Sequence, residues 1–197
     1  MHESVIVAGF GGQGILFAGQ VLAYAGLFDG REVVWMPSYG PEMRGGTANC
    51  TVVISSTRVR SPLVANPLGV IAMNRPSFDR FEPAVRPGGV LIVNSSLIDA
   101  RSSRADIRSY EVPANHIAEE LGSAKVANLV ALGSYVAATQ AVSVDSILRG
   151  IEKVVSGDRA ALRSLNFEAF RRGVEAVAAV SHRTPNERGA TAGPVET

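Results

Sequence analysis

Gly9-Phe10-Gly11-Gly12-Gln13-Gly14 carries the strongest chemical signal in this 197-residue chain. It follows the apolar run Val5-Ile6-Val7-Ala8 and precedes residues at helical spacing. Glycines at 9, 11 and 14 suit a tight strand-to-helix turn whose backbone N–H groups can approach a phosphate. A helix start behind such a turn offers unpaired N–H groups and the positive end of a helix dipole. A second segment, Pro37-Ser38-Tyr39-Gly40-Pro41-Glu42-Met43-Arg44-Gly45-Gly46, sets a guanidinium between Glu42 and a Gly-Gly pair. Arg44 suits bidentate capture of a phosphate or carboxylate, and equally an ion pair with Glu42 or a partner chain. Tyr39 suits stacking on a base or packing at an interface. Gly40, Gly45 and Gly46 suit ligand approach, but turn geometry is the plainer reading. Gln13 reaches a ligand or solvent from the first helical turn. Asn74 and Asn94 are expected to cap the helix or turn that follows them, with ligand contact the second reading; Asn128 is expected to cap a helix starting at Leu129.

These residues need elements to position them. Residues 4–8 read as a strand, and Ile15, Ala18, Leu22 and Ala25 share one face of a helix that stops near Gly26 and Gly30. A second strand covers Glu32 to Trp35, and the Gly- and Pro-rich residues 37–46 read as irregular. Residues 48–55 alternate, with Ala48, Cys50, Val52 and Ile54 on one face of a third strand. Further strands are expected at 69–73, 90–93 and 107–112. A short helix starts at Asn74-Arg75-Pro76-Ser77 and is limited by Pro83; others are expected at 114–121, 128–141, 144–155 and 166–180. Alternating strands and helices predict an α/β, Rossmann-like layered sandwich with a mostly parallel sheet. The third strand has no helix before it, so it is expected antiparallel or at an edge, which would make the sheet mixed. One domain over 1–181 and a disordered polar tail over 182–197 are expected.

In such a sheet, ligands bind beyond the carboxyl ends of the strands. Gly9–Gly14, Pro37–Gly46, Asn74–Ser77 and Asn94–Ser96 all fall there and could line one crevice. A nicotinamide reading lacks its partner. The acid that accepts a ribose hydroxyl belongs at the end of strand two, and that strand runs into Trp35-Met36-Pro37, with Asp29 and Glu32 before it. The single cysteine, Cys50, excludes an internal disulfide and an all-cysteine metal or iron–sulfur site, and it reads as a buried small hydrophobe. His2, His116 and His182 are scattered. A net charge of +1 gives no field for nucleic acid or an anionic membrane. No basic region precedes the first apolar run, and no apolar run is long enough to span a bilayer, so a soluble cytoplasmic protein is expected. No Ser/His/Asp set, paired carboxylate or Walker loop is present. The chain offers binding groups without an evident catalytic one.

The glycine loop, Pro37–Gly46, Ala72-Met73-Asn74-Arg75-Pro76-Ser77, Pro87-Gly88-Gly89 before the Leu91–Asn94 strand end, and Ala127-Asn128 before Leu132-Gly133 together resemble the gamma subunit of 2-oxoacid:ferredoxin oxidoreductases. The resemblance covers about residues 3–180, and the wording of Tyr39–Gly46 is most similar to the 2-oxoglutarate type. It implies a subunit of a hetero-oligomer that decarboxylates a 2-oxoacid oxidatively, forms an acyl-CoA and reduces ferredoxin. It also implies that thiamine diphosphate, Mg and iron–sulfur clusters sit on alpha and beta thiamine-binding subunits and a ferredoxin-like delta subunit. The site residues it carries over are Gly9, Gly11, Gly12, Gln13 and Gly14, Tyr39 through Gly46 including Pro41, Glu42 and Arg44, and Asn74 and Asn94. Their contact with coenzyme A is the expectation. A subunit that only assembles the complex, with no ligand of its own, is the alternative.

Overall fold

The computed structural model describes residues 2–39, 47–59, 63–155 and 160–181. The expected tail at 182–197 and the loop residues Gly40, Pro41, Glu42, Met43, Arg44, Gly45 and Gly46 lie outside the described residues. Strands β1 (His2–Phe10), β2 (Glu32–Tyr39), β3 (Thr47–Ser55), β4 (Gly69–Ala72), β5 (Val90–Asn94) and β6 (Arg108–Val112) form one sheet. Among the described residues, six α-helices accompany them: α1 (Ile15–Phe28), α2 (Arg75–Phe81), α3 (Ala114–Glu120), α4 (Ala127–Thr139), α5 (Val144–Val154) and α6 (Ala160–Ser181).

The strand order is β2-β3-β1-β4-β5-β6. Strands β1, β4, β5 and β6 pair in parallel, and β3 runs antiparallel to both β1 and β2. The sheet is therefore mixed, as the missing helix before β3 suggests. Its place differs from an edge: β3 lies inside, and β2 is the outer strand. That outer position also explains why β2 runs on through Pro37 to Tyr39, where the sequence reads as irregular. An edge strand pairs on one side only and tolerates a residue without an N–H.

Alternation in the strands divides the core. Val5, Val7, Cys50, Val52, Ile54, Ile71 and Ile92 face α1 and α3–α6, whereas Ile6, Ala8, Val70, Ala72, Leu91 and Val93 pack with Phe78 of α2. Helix α4 is buried along Ala127–Val136. Its Gly133 approaches the Phe170 carbonyl so closely that a Cβ would strike it, and Gly173 of α6 meets the Val130 carbonyl in the same way. Close helix packing of this kind sets α4's position more than capping does. Val126 at its start supplies no side-chain cap, a loss of about 1 kcal/mol, against about 2 kcal/mol for burying each of Leu129, Val130 and Leu132. Among the described residues, no helix is long and apolar enough to cross a membrane.

Two polar contacts hold the end of the sheet opposite the glycine loop. Asp29, closing α1, accepts hydrogen bonds from Ser143 N (2.8 Å), Ser143 Oγ (2.8 Å) and Ser146 Oγ (2.6 Å) at the start of α5. Burial pushes its carboxyl up, but the bonds from Ser146 and Ser143 outweigh that and hold it below the ordinary range. Its contribution to stability is therefore complete above about pH 4 and is lost as the pH falls through the lower folded value. Asp29→Ala is expected to cost about 2 kcal/mol in urea unfolding at neutral pH, with a smaller difference from the parent at pH 3. Tyr135, wholly buried, donates to Glu3 Oε1 at 2.7 Å. Burial raises the Glu3 carboxyl despite that bond. A raised carboxyl favours folding below its unfolded value of about 4.3, and the benefit is lost as the pH rises through the folded value. Thermal unfolding of Glu3→Gln should therefore show a gain in Tm relative to the parent on going from pH 4 to pH 7.

Candidate functional site

The glycine loop lies where its strand and helix require. β1 ends at Phe10, and Gly14 precedes α1 in the left-handed region (φ 74°, ψ 25°), a conformation that favours glycine. A side chain at Gly14 would also strike the Asn128 amide. Asn128 sits in the first turn of α4 and donates Nδ2 to Gly14 O at 2.9 Å. This corrects the expected cap at Asn128. Val126 occupies the cap position, and the amide of Asn128 instead ties the glycine loop to a helix 114 residues away.

Gln13 is committed as well. Its Oε1 accepts from Phe10 N at 2.6 Å and its Nε2 donates to Met73 O at 3.3 Å. The side chain thus folds across the loop and joins the ends of β1 and β4, although it still lines the adjacent cleft. Gly9 permits this fold: a Cβ there would sit 2.5 Å from Gln13 Oε1. Asn74 behaves as expected, capping α2 by accepting from Ser77 N at 2.9 Å. Asn94 does not cap with its side chain. It is fully buried and donates Nδ2 to Met73 O (3.3 Å) and to Asn115 Oδ1 (2.8 Å), while its backbone oxygen closes the turn to Leu97 and Ile98. The reason is tertiary. β5 is flanked by β4 and β6, so its last side chain meets neighbours before it meets its own turn.

These strand ends converge. α1 packs on one face of the sheet and α2 on the other, so the chain leaves β1 and β4 in opposite directions and opens a crevice between them. Phe10 of β1 pairs with Thr47 of β3, and Tyr39 of β2 pairs with Ala48. The strand ends flanking residues 40–46 therefore stand at the same end of the sheet as Gly9–Gly14. The side chain of Tyr39 and the candidate residues Gly40, Pro41, Glu42, Arg44, Gly45 and Gly46 are outside the described residues.

A cleft of about 190 Å³ lies against the loop, lined by Gly12, Gln13, Met73, Asn115, Lys125 and their neighbours Ala124 and Ala127. Its described lining contains an ammonium and no carboxylate. Sequence reading overlooked Lys125 and Asn115. For Lys125 the available signal is its place just before a helix start that has no acid in its first turn. A larger groove of about 800 Å³ lies at the other end of the sheet, beside Asp29, Arg31, Val136, Val144 and Val174. Asp29 is already bonded to Ser143 and Ser146 there, so the smaller cleft has the better equipment for binding an anion.

The fold also bears on nicotinamide binding. Strand β3 separates β1 from β2, so an antiparallel strand start occupies the place beside the glycine loop where a dinucleotide fold ends its second strand. Glu32 opens β2 at the far end of the sheet, opposite Ser55. Cys50 is buried against Ile15 O, and burial pushes its thiol up to about 12, which removes it as a nucleophile.

The family model described as Pyruvate ferredoxin/flavodoxin oxidoreductase matches residues 4–176. The ketoisovalerate oxidoreductase subunit VorA of Methanothermobacter marburgensis is 46% identical over 129 residues, which is 66% of this chain and 27% of that one. The chain thus spans about a quarter of the length of the VorA relatives it matches. The 2-oxoglutarate synthase subunit KorC of Methanocaldococcus jannaschii is 35% identical over 179 residues, covering 89% of this chain and 94% of that one. The gamma subunit of a keto/oxoacid ferredoxin oxidoreductase from Geobacter sulfurreducens superposes with a TM-score of 0.80 at 30% identity, covering 91% of this chain and 98% of that one. A chain of 2-oxoglutarate:ferredoxin oxidoreductase from Magnetococcus marinus, solved with 2-oxoglutarate, coenzyme A and succinyl-CoA bound, shares the fold at a TM-score of 0.83 and 23% identity, over 93% of this chain and 32% of that one. The chain belongs to the pyruvate ferredoxin/flavodoxin oxidoreductase family.

Proposed function

We propose that this chain is the gamma subunit of a cytoplasmic 2-oxoacid:ferredoxin oxidoreductase of the 2-oxoglutarate type. The complex converts 2-oxoglutarate, coenzyme A and oxidised ferredoxin to succinyl-CoA, carbon dioxide and reduced ferredoxin. The near full-length correspondence with KorC supports the choice of oxoacid. This chain contributes to coenzyme A binding and to subunit contacts. One cysteine cannot hold a cluster, so iron–sulfur clusters do not fit this chain and belong to partners, with thiamine diphosphate and Mg. Those partners are the alpha and beta thiamine-binding subunits and a ferredoxin-like delta subunit. Coenzyme A supplies the thiol that accepts the acyl group.

The observation that carries this reading is the cleft at the carboxyl ends of the strands. It adjoins a glycine turn and an uncapped helix start, and its described lining has no carboxylate. Such a place favours a phosphorylated ligand. The residues proposed to contact it are Gly9, Gly11, Gly12, Gln13 and Gly14 and the loop from Tyr39 to Gly46, with Asn74 and Asn94 buried at the strand ends behind them. Their part is to bind and orient the carrier end of coenzyme A, leaving the acyl chemistry to the partner subunits. One observation favours a second reading, an assembly subunit without a ligand. Gln13 and Asn128 spend their amides inside the protein, so the loop also has a purely internal reason for its glycines.

Arg44→Ala in the assembled complex separates the two. Loss of one charge-assisted contact, roughly 1.5–3 kcal/mol, should raise the Michaelis constant for coenzyme A about tenfold or more. An unchanged constant with normal assembly contradicts coenzyme A contact by this loop, and failed assembly makes the loop an interface element.

A further inference from the structure

The cleft beside the glycine loop has a second lip. α1 starts on one side of it, next to Gly12 and Gln13, and on the other a single 3-10 turn, Ala124–Val126, runs into α4 at Ala127. Neither helix has a side-chain cap at its cap residue, and neither has an acid in its first turn. The side chain of Asn128 takes up one α4 amide, that of Leu129. The starts of α1 and α4 therefore both adjoin one small volume, and neither brings an acid to it. Lys125 adds a full positive charge to the lining.

A separate observation lies behind the cleft wall. Asn94 is completely buried and bonded through Nδ2 to Met73 O and Asn115 Oδ1, both on lining residues, yet its Oδ1 has no partner among the described residues. Asn74, on the neighbouring strand end, is 2% exposed and its Nδ2 has no partner there either. Asn94, bonded to two lining residues, is a half-satisfied buried amide of the kind that a bound ligand, or water held by it, would complete.

We propose that Lys125, with the starts of α1 and α4, binds a phosphate of coenzyme A; this rests on reading the chain as a coenzyme A-binding subunit. Coenzyme A carries phosphate at two places, the 3′-phosphate and the diphosphate bridge, and either has the chemistry the cleft takes. Gly12 leaves the floor open: no atom lies within 4 Å of where its Cβ would be. Lys125 is exposed, so replacing it leaves the core intact.

The test compares the assembled parent complex with its Lys125→Gln and Lys125→Arg variants. Michaelis constants are measured for coenzyme A, for dephospho-coenzyme A and for pantetheine, which has no phosphate. Lys125→Gln should raise the constant for coenzyme A about tenfold and leave that for pantetheine unmoved, with Lys125→Arg recovering most of the loss. Insensitivity of dephospho-coenzyme A assigns Lys125 to the 3′-phosphate, and a parallel rise assigns it to the diphosphate. The proposal is overturned if the coenzyme A constant is unmoved, or if all three thiols are affected equally. In the unmoved case, a rise with Arg44→Ala leaves the coenzyme A reading standing without Lys125, whereas no rise in either variant removes both.

Discussion

Four amide side chains hold the candidate binding end of this molecule together. Gln13 bridges Phe10 N and Met73 O, Asn94 bridges Met73 O and Asn115 Oδ1, Asn128 reaches Gly14 O, and Asn74 caps α2. Each bond taken singly contributes about 1 kcal/mol. Their effect is larger than that figure suggests, because losing one partner leaves a buried polar group unpaired, at a cost of about 1–3 kcal/mol. The network joins β1, β4, β5, α3 and α4 at the carboxyl ends of the parallel strands. It sets the glycine loop in one geometry and aligns the starts of α1 and α4 on the same cleft.

The two ends of the sheet divide the work. At the far end, Asp29 fastens α1 to α5 and Tyr135 covers Glu3, so these two carboxylates are consumed by the fold. At the near end, acids are missing from the described lining of the cleft and from the first turns of both helices. This polarity suits the proposed role, a subunit that receives a phosphorylated carrier while partners hold the redox centres. Among the described residues no acid stands at the carboxyl end of β2, and this and the burial of Cys50 fit the same division.

Much of this was legible in the sequence because the signals are local. The glycine turn, the alternation of Cys50, Val52 and Ile54, the cap at Asn74 and the helix limit before Pro83 each depend on residues within one turn or one strand. What was not legible depends on distant neighbours. The strand order that seats β3 between β1 and β2 comes from pairings across the chain, and the edge position that lets β2 continue through Pro37 follows from that order. Asn128 looks like a cap because its true partner is 114 residues away. Asn94 looks like a cap because its neighbours on β4 and α3 are invisible locally. Lys125 is an ordinary surface lysine until α4 is known to start beside the glycine loop.

In the proposed function the glycine loop and the start of α4 form one coenzyme A-binding edge. Hydrogen exchange of the assembled complex, read with and without saturating coenzyme A, is the decisive measurement. Slowed exchange is expected at the amides of residues 11–17 and 124–129, with no change at the α5 start around residues 143–147. Unchanged exchange in both of the first two segments would contradict it.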